Sequence, residues 1–250
     1  MTALTIQEIT VAYQQRPVLW RINAIIPQGV MMGIIGPNGA GKSTLIKTIV
    51  QLIKPVAGSV MVFEKPAHAM LSRIAYIPQR FSIDWNFPCT VFDVVLMGTY
   101  ASLGWFSRPG RKEHARVHNA LEIVGMQSYA DTPIGKLSGG QQQRVFLARA
   151  LVQEADMYLL DEPFIGIDAP TQTLLLNLMK SLQQQGKTII AVHHDLHTIS
   201  TYFDWLMLLN VQCIAYGQYS TVFTHNNLAQ VYGASTIMPY TSSFKIAETI

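Results

Sequence analysis

The stretch that most constrains this chain runs Gly36, Pro37, Asn38, Gly39, Ala40, Gly41, Lys42, Ser43, Thr44 and fits the pattern G-x-x-x-x-G-K-[ST]. Ahead of it, Val30 to Ile35 is a short apolar run suited to a strand buried on both faces. Behind it, Leu45, Ile46, Ile49, Val50 and Ile53 recur at helical spacing, and Pro55 and Gly58 end the pattern. Strand, glycine loop and helix together form the context in which this pattern cradles phosphate. The glycines let the backbone turn its N–H groups inward, and the helix N-terminus adds its positive end. Lys42 is then placed to reach the β- and γ-phosphates, and the Ser43 hydroxyl to ligate Mg²⁺.

The 250 residues suit one large domain, or one domain with a lobe. Apolar residues make up 49% and charged residues 13%, with a mean hydropathy of +0.22. No apolar run reaches the roughly 18–20 residues of a membrane span, and the first residues lack the basic start and apolar core of a signal peptide. The expectation is a cytoplasmic protein with an apolar surface that a partner covers. A net charge of +3 is too small to argue for nucleic acid. Cys89 and Cys213 lie far apart without metal spacing and read as reduced structural thiols.

Residues 4–13 alternate as a half-buried strand, Arg21 to Ile26 reads as another, and Pro27 to Gly29 as the turn into the central strand. Tyr13, at the exit of the first strand, either stacks on a base or caps the core, and the residues alone favour the cap. Two short strands follow, Val60 to Val62 and Ile74 to Ile77, with Gln79 at the carboxyl end of the second, where ligands bind in α/β sheets. Residues 81–106 then carry Phe81, Trp85, Phe87, Phe92, Tyr100, Trp105 and Phe106, and residues 108–124 read as a polar, basic helix with a solvated face. This texture suggests a mainly helical lobe inserted into an α/β core, its aromatics forming either lobe core or a groove for a partner helix.

Leu137 to Arg144 presents a second element suited to an anion. Ser138 stands as N-cap with Gln141 three residues on, and Gly139 and Gly140 leave the helix start open to close approach. Met157 to Leu160 is a buried strand ending in Asp161 and Glu162, two carboxylates that are costly there without a charged partner. Mg²⁺ suits Asp161, and Glu162 is placed to polarise a water. Thr188 to Val192 is a further buried strand, followed by His193 and His194. Adjacent side chains point to opposite faces, so these two and His197 read as one site histidine and two bystanders. Residues 203–232 suggest a closing hairpin and a short helix, and there is no internal repeat.

Taken in this order, the phosphate loop, Gln79, Leu137-Ser-Gly-Gly-Gln141, Asp161-Glu162 and His194 resemble the ATP-binding cassette family, the motor subunits of ABC transporters, over roughly residues 3–232. The resemblance implies an α/β P-loop NTPase (RecA-like) fold: a mixed-sheet core, N-terminal antiparallel strands and an inserted mainly α-helical lobe. It further implies an ATPase domain over residues 1–235, a helical subdomain over about 85–152, and a tail over 236–250. Under it Tyr13 becomes the adenine-stacking aromatic, and Gln79 the residue that senses Mg²⁺ and couples to the membrane partner. Ser138, Gly139, Gly140 and Gln141 would face the ATP held by an opposite subunit. Glu162 matches the general base, His194 the switch histidine, and Asp168 the aspartate linking the two sites. Two copies would then pair head to tail around two ATP molecules with Mg²⁺, and the dimer would dock near residues 79–106 on an integral membrane permease fed by an extracytoplasmic solute-binding protein. The location implied is the cytoplasmic face of the plasma membrane.

Four stretches narrow the resemblance: Phe164-Ile-Gly-Ile-Asp168, Asp84-Trp-Asn-Phe-Pro88, Met97-Gly-Thr-Tyr100 and Val192-His-His-Asp-Leu196. They are similar to the branch serving manganese, zinc and iron uptake, with manganese the first expectation. The stretch after His194 is too short for the regulatory domain of many sugar-importer cassettes. The competing class is a soluble ABC ATPase acting on nucleic acid or ribosomes. Such proteins carry paired cassettes, coiled coils or zinc cysteines, none of which is legible here.

Overall fold

The strand expected to be buried on both faces, Met31–Ile35, is buried at all five positions in the computed structural model of this chain. The structure describes residues 1–14, 16–79, 85, 87–103 and 107–233. In chain order the elements are β1 (Thr2–Tyr13), β2 (Arg16–Pro27), β3 (Met31–Ile35), α1 (Lys42–Ile49), β4 (Ala57–Val62), β5 (Lys65–Pro66), β6 (Ile74–Ile77), α2 (Val91–Leu96), α3 (Arg111–Ile123), α4 (Gly139–Val152), β7 (Met157–Leu160), α5 (Ala169–Gln184), β8 (Thr188–Val192), α6 (Ile199–Tyr202), β9 (Trp205–Asn210), β10 (Gln212–Gln218), α7 (Tyr219–Val222) and α8 (His225–Tyr232), with short 3₁₀ turns among them. They divide into two units, one holding residues 1–70 and the chain from Thr188 onward, the other Leu71–Lys187.

In the first unit β3 lies parallel to both β8 and β9, in registers such as Gly33 with Ala191 and Gly33 with Leu206. β10 closes back on β9 as an antiparallel hairpin. A separate antiparallel layer runs β2-β1-β4-β5, and the alternation of β2, with Leu19, Ile22, Ala24 and Ile26 buried, turns one face of that layer inward. Strand β2 is longer than the Arg21–Ile26 segment expected, because pairing with β1 extends it from Arg16 to Pro27. Helix α1 is shorter than its apolar spacing suggested. Gln51 enters the left-handed region at φ 61°, and the Leu52 N–H donates to the Lys47 carbonyl at 2.8 Å, which closes the helix before Ile53 and well before Pro55.

In the second unit β6 and β7 pair in parallel from Ile74 with Met157 to Ile77 with Leu160. Helices α2, α3 and α4 pack on one another, α3 burying Val117, Ala120 and Leu121. The basic helix expected over 108–124 is therefore α3, with its charged face outward. Asp84, Trp105, Phe106, Phe81 and the tail 236–250 lie outside the described residues. Among the described residues no helix is long and apolar enough to cross a membrane.

Gly98 shows how tightly this unit is packed. A methyl group there would sit 2.2 Å from the Arg149 carbonyl oxygen and 2.6 Å from a Val152 methyl of α4. Gly98→Ala is expected to lower the unfolding free energy by about 3 kcal/mol, the upper end of ordinary overpacking, as measured by chemical denaturation.

Candidate nucleotide site

The phosphate loop leaves β3 through Gly36, where a Cβ would come 1.9 Å from the Leu209 carbonyl of β9. Only glycine allows the chain to pass so close. Gly41, at φ 93°, caps α1 and comes within a methyl's width of the Val18 carbonyl on β2. Ala40 is tied on both sides, its N–H donating to Pro37 at 3.2 Å and its carbonyl accepting from the Val211 N–H at 3.1 Å. Asn38 and Gly39 form the exposed crest. Lys42 is 6% exposed, and its Nζ donates to the Gly36 and Pro37 carbonyls at 2.8 and 2.9 Å, so the ammonium is drawn back over the loop it follows. Ser43 and Thr44 are half-buried in the first turn of α1, which carries no acidic residue to compete for an anion. These features fit a nucleotide's phosphates: a glycine cradle, an open helix start and a converging cation.

Tyr13 ends β1 opposite Arg16 and is 51% exposed, so it does not cap the core. The three histidines after β8 differ in burial, and the His193 and His194 rings, expected on opposite faces, lie with centroids 5.9 Å apart because the chain leaves the regular strand at Val192. His193 is buried, its N–H donating to the Ile34 carbonyl at 3.0 Å and its Nε2 hydrogen-bonded to the Thr198 hydroxyl at 2.7 Å, whereas His194 and His197 are exposed. Burial, helped by the neighbouring His194, pushes the His193 imidazole down to about 4. Among the described residues no group of three or more His, Cys, Asp or Glu is placed to hold a metal ion.

In the second unit, Asp161 and Glu162 leave the end of β7. The Asp161 N–H donates to the Ile77 carbonyl at 2.9 Å, which continues the β6–β7 ladder one step and keeps Asp161 at 1% exposure. Burial, with the Asp161 charge second, pushes the nearby Tyr76 phenol up to about 12. Glu162 then takes a left-handed backbone at φ 53°, an uncommon conformation for a residue with a side chain. Its carboxylate meets Gln79, whose Nε2 donates to Glu162 Oε2 at 2.5 Å, in line with the register that pairs Ile77 with Leu160. Two residues 83 apart in sequence are thereby held together.

Residues 137–141 form the capping box that their spacing suggested. The Gln141 N–H donates to the Ser138 hydroxyl at 3.4 Å, and the Ser138 N–H to the Gln141 side-chain oxygen at 2.8 Å. A Cβ on Gly140 would stand 2.7 Å from Asp168 Oδ1, so Asp168 lies directly against the start of α4. The same oxygen accepts from the Thr171 hydroxyl at 2.8 Å, and Arg144 Nε donates to that hydroxyl at 3.0 Å. The Thr171 hydrogen bond is the main reason the Asp168 carboxyl sits below its usual range. Sequence reasoning missed Thr171 and Arg144. Their signal was the three-residue step from Asp168 to Thr171 at the start of a helix.

A further feature of this unit is an apolar groove of about 320 Å³ lined by Trp85, Phe87, Met97, Ile134, Phe146 and Arg149. Trp85 meets Phe146 edge-on at 5.4 Å, Arg149 lies 5.8 Å from the same ring, and Phe87 is 59% exposed.

A family model described as "ABC transporter" matches residues 19–165. The zinc transport system ATP-binding protein TroB of Treponema pallidum is 53% identical over 240 residues, covering 95% of this chain and 90% of that protein. The manganese transport system ATP-binding protein MntB of Bacillus subtilis is 49% identical, covering 93% of each. Among solved structures, an ATP-binding cassette in a dimeric, post-hydrolysis state with ADP and Pi superposes with a TM-score of 0.76 at 25% identity, over 86% of this chain and 98% of that one.

The buried, neutral His193 makes stability depend on pH. An unfolded imidazole takes up its proton near 6.5 and the folded one resists until about 4, so stability is complete above that range and is lost as pH falls through it. The loss should reach about 3 kcal/mol in chemical denaturation. In His193→Gln the share of the drop due to this group should be missing.

Proposed function

This chain belongs to the ABC transporter family, and from that footing we propose that it is the ATP-hydrolysing motor subunit of an importer for a divalent metal ion, manganese first, then zinc or iron. The observation that carries the ion class is the similarity, over nearly the whole chain, to relatives named for zinc and for manganese transport. As an ABC ATP-binding subunit the chain binds and hydrolyses ATP. No reported relative is named for work on nucleic acid or ribosomes.

The residue roles follow the chemistry of each position. Tyr13 stacks on adenine, while Gly36 to Gly41 and the start of α1 take the phosphates, with Lys42 on the β- and γ-oxygens. Ser43, Gln79 and Asp161 would hold Mg²⁺, whose oxygen preference suits this donor set and which, when bound, offsets charge on the phosphate oxygens. Glu162 accepts the proton of the attacking water at its carboxylate, and the Gln79 amide orients that carboxylate through the bond at 2.5 Å. His194, exposed at the end of β8, contacts the γ-phosphate region. Ser138, Gly139, Gly140 and Gln141 meet the γ-phosphate held by a second copy, and Asp168, seated against Gly140, links the two sites.

The protein works peripherally at the cytoplasmic face of the membrane. Its partner is an integral permease docking around residues 79–106, with the aromatic groove as the seat, and an extracytoplasmic solute-binding protein delivers the ion. We take residues 1–235 as the ATPase domain, with a helical subdomain over about 85–152.

Glu162→Gln should bind ATP normally and hydrolyse it about 10²–10⁴-fold more slowly, the usual weight of a general base. Cells carrying it, assayed with labelled manganese, zinc and iron, should lose uptake of one ion. Normal uptake of all three would remove the metal assignment, and normal turnover would place the base elsewhere. Phe87→Ser should leave ATPase activity of the isolated subunit unchanged and abolish co-purification with the permease. Intact co-purification would return this groove to local packing.

A further inference from the structure

We propose that His114 and His118 form a two-imidazole surface site on α3 for a late divalent transition-metal ion of the Zn²⁺ class. The two residues lie one turn apart on a helix of 13 residues, and both are exposed. That spacing sets side chains on one stripe of the helix surface and is the one by which a single helix offers two nitrogen donors to zinc. Both rings also meet one aromatic platform, the Phe92 ring of α2, His114 edge-on with centroids 5.2 Å apart and His118 tilted at 5.3 Å.

The platform and the helix are held independently of any ion. The Val91 and Phe92 N–H groups donate to the Thr132 and Ala130 carbonyls at 3.0 and 2.9 Å, and Thr90 and Asp93 close a capping box at the start of α2. On α3, Val117, Ala120 and Leu121 are buried, and Arg116 donates to the Val152 carbonyl at the end of α4. A stripe anchored in this way loses little freedom when two donors are fixed, which favours chelation. The imidazoles are at the rim of the α2–α3 packing, open to solvent, so water completes the coordination of an ion held by these two nitrogens.

Donor chemistry sets the ion class. Imidazole suits zinc, copper and nickel, whereas magnesium and manganese prefer oxygen, and first-row affinities rise from manganese toward copper. The nucleotide's Mg²⁺ therefore does not compete here, and the site discriminates against Mn²⁺. The inference needs neither hydrolysis nor transport and stands apart from the importer reading.

The test uses the untagged full chain, free of nucleotide and stripped of metal, titrated calorimetrically with ZnCl₂ and then with MnCl₂. Other histidines and cysteines also take zinc, so the reading is the difference between wild type and variants. His114→Gln and His118→Gln should each weaken one zinc-binding event by about tenfold or more, a scale on which even the outer partners of a metal ligand register. The double variant should lose no further event, and Mn²⁺ should show no such difference. In NMR the side-chain resonances of His114 and His118 should shift together with zinc. Thermal unfolding in metal-free buffer should be unchanged, since both side chains are exposed. Zinc isotherms of the single variants that match wild type, a shift of one imidazole alone, or equal response to manganese would each overturn the proposal.

Discussion

The turn from β3 into α1 is possible because two backbones approach to within a distance that no side chain permits. Gly36 lies so close to the Leu209 carbonyl that a methyl would overlap it, and Gly41 stands in the same relation to Val18. Each contact joins the loop to a different strand, β9 in one case and β2 in the other. The loop is therefore shaped by its surroundings before any phosphate arrives, and its N–H groups need little rearrangement to meet one. The buried Lys42 adds to this, with its charge satisfied by two carbonyls of the loop itself.

The carboxylates at the end of β7 depend on the opposite device, a residue placed where its type is uncommon. Asp161 continues the strand ladder and stays buried, while the left-handed backbone of Glu162 turns the next side chain away from the strand direction. The parallel register, Ile77 with Leu160, carried two residues on brings Gln79 level with Glu162 on one face, and the left-handed turn comes just past the end of the strand. The Gln79 amide meets the carboxylate there, beside the left-handed backbone of Glu162. At the start of α4 the arrangement is made from small parts. A capping box fixes the helix start, Gly140 leaves room, and Asp168 fills the space under a hydrogen-bond chain from Arg144 through Thr171.

Local signals could be read where one element holds all the partners. The phosphate loop, the Ser138–Gln141 capping box and the buried strands β3, β7 and β8 each declare themselves within a few residues. Features built from distant residues could not be read. The length of β2 follows from its pairing with β1, the early end of α1 from Gln51, and the exposure of Tyr13 from its place at a hairpin end. The same limit hid the Phe92 platform, because its two histidines lie on another helix, and their step of four reads as part of a solvated basic face until the packing of α2 on α3 is known.

By itself the sequence determined which residue types are present: a glycine-rich loop of the phosphate-loop pattern, a second helix start suited to an anion, paired carboxylates after a buried strand, and the motif order of an ABC ATPase. Those are properties of residue type and short spacing, which the backbone expresses locally. Tertiary structure decided orientation. It set the Gln79 amide on Glu162, seated Asp168 on Gly140, buried His193 while leaving His194 exposed, and opened an apolar groove beside Phe87. Each of these depends on where separate elements pack, and packing is settled by contacts between residues tens of positions apart rather than by any one segment.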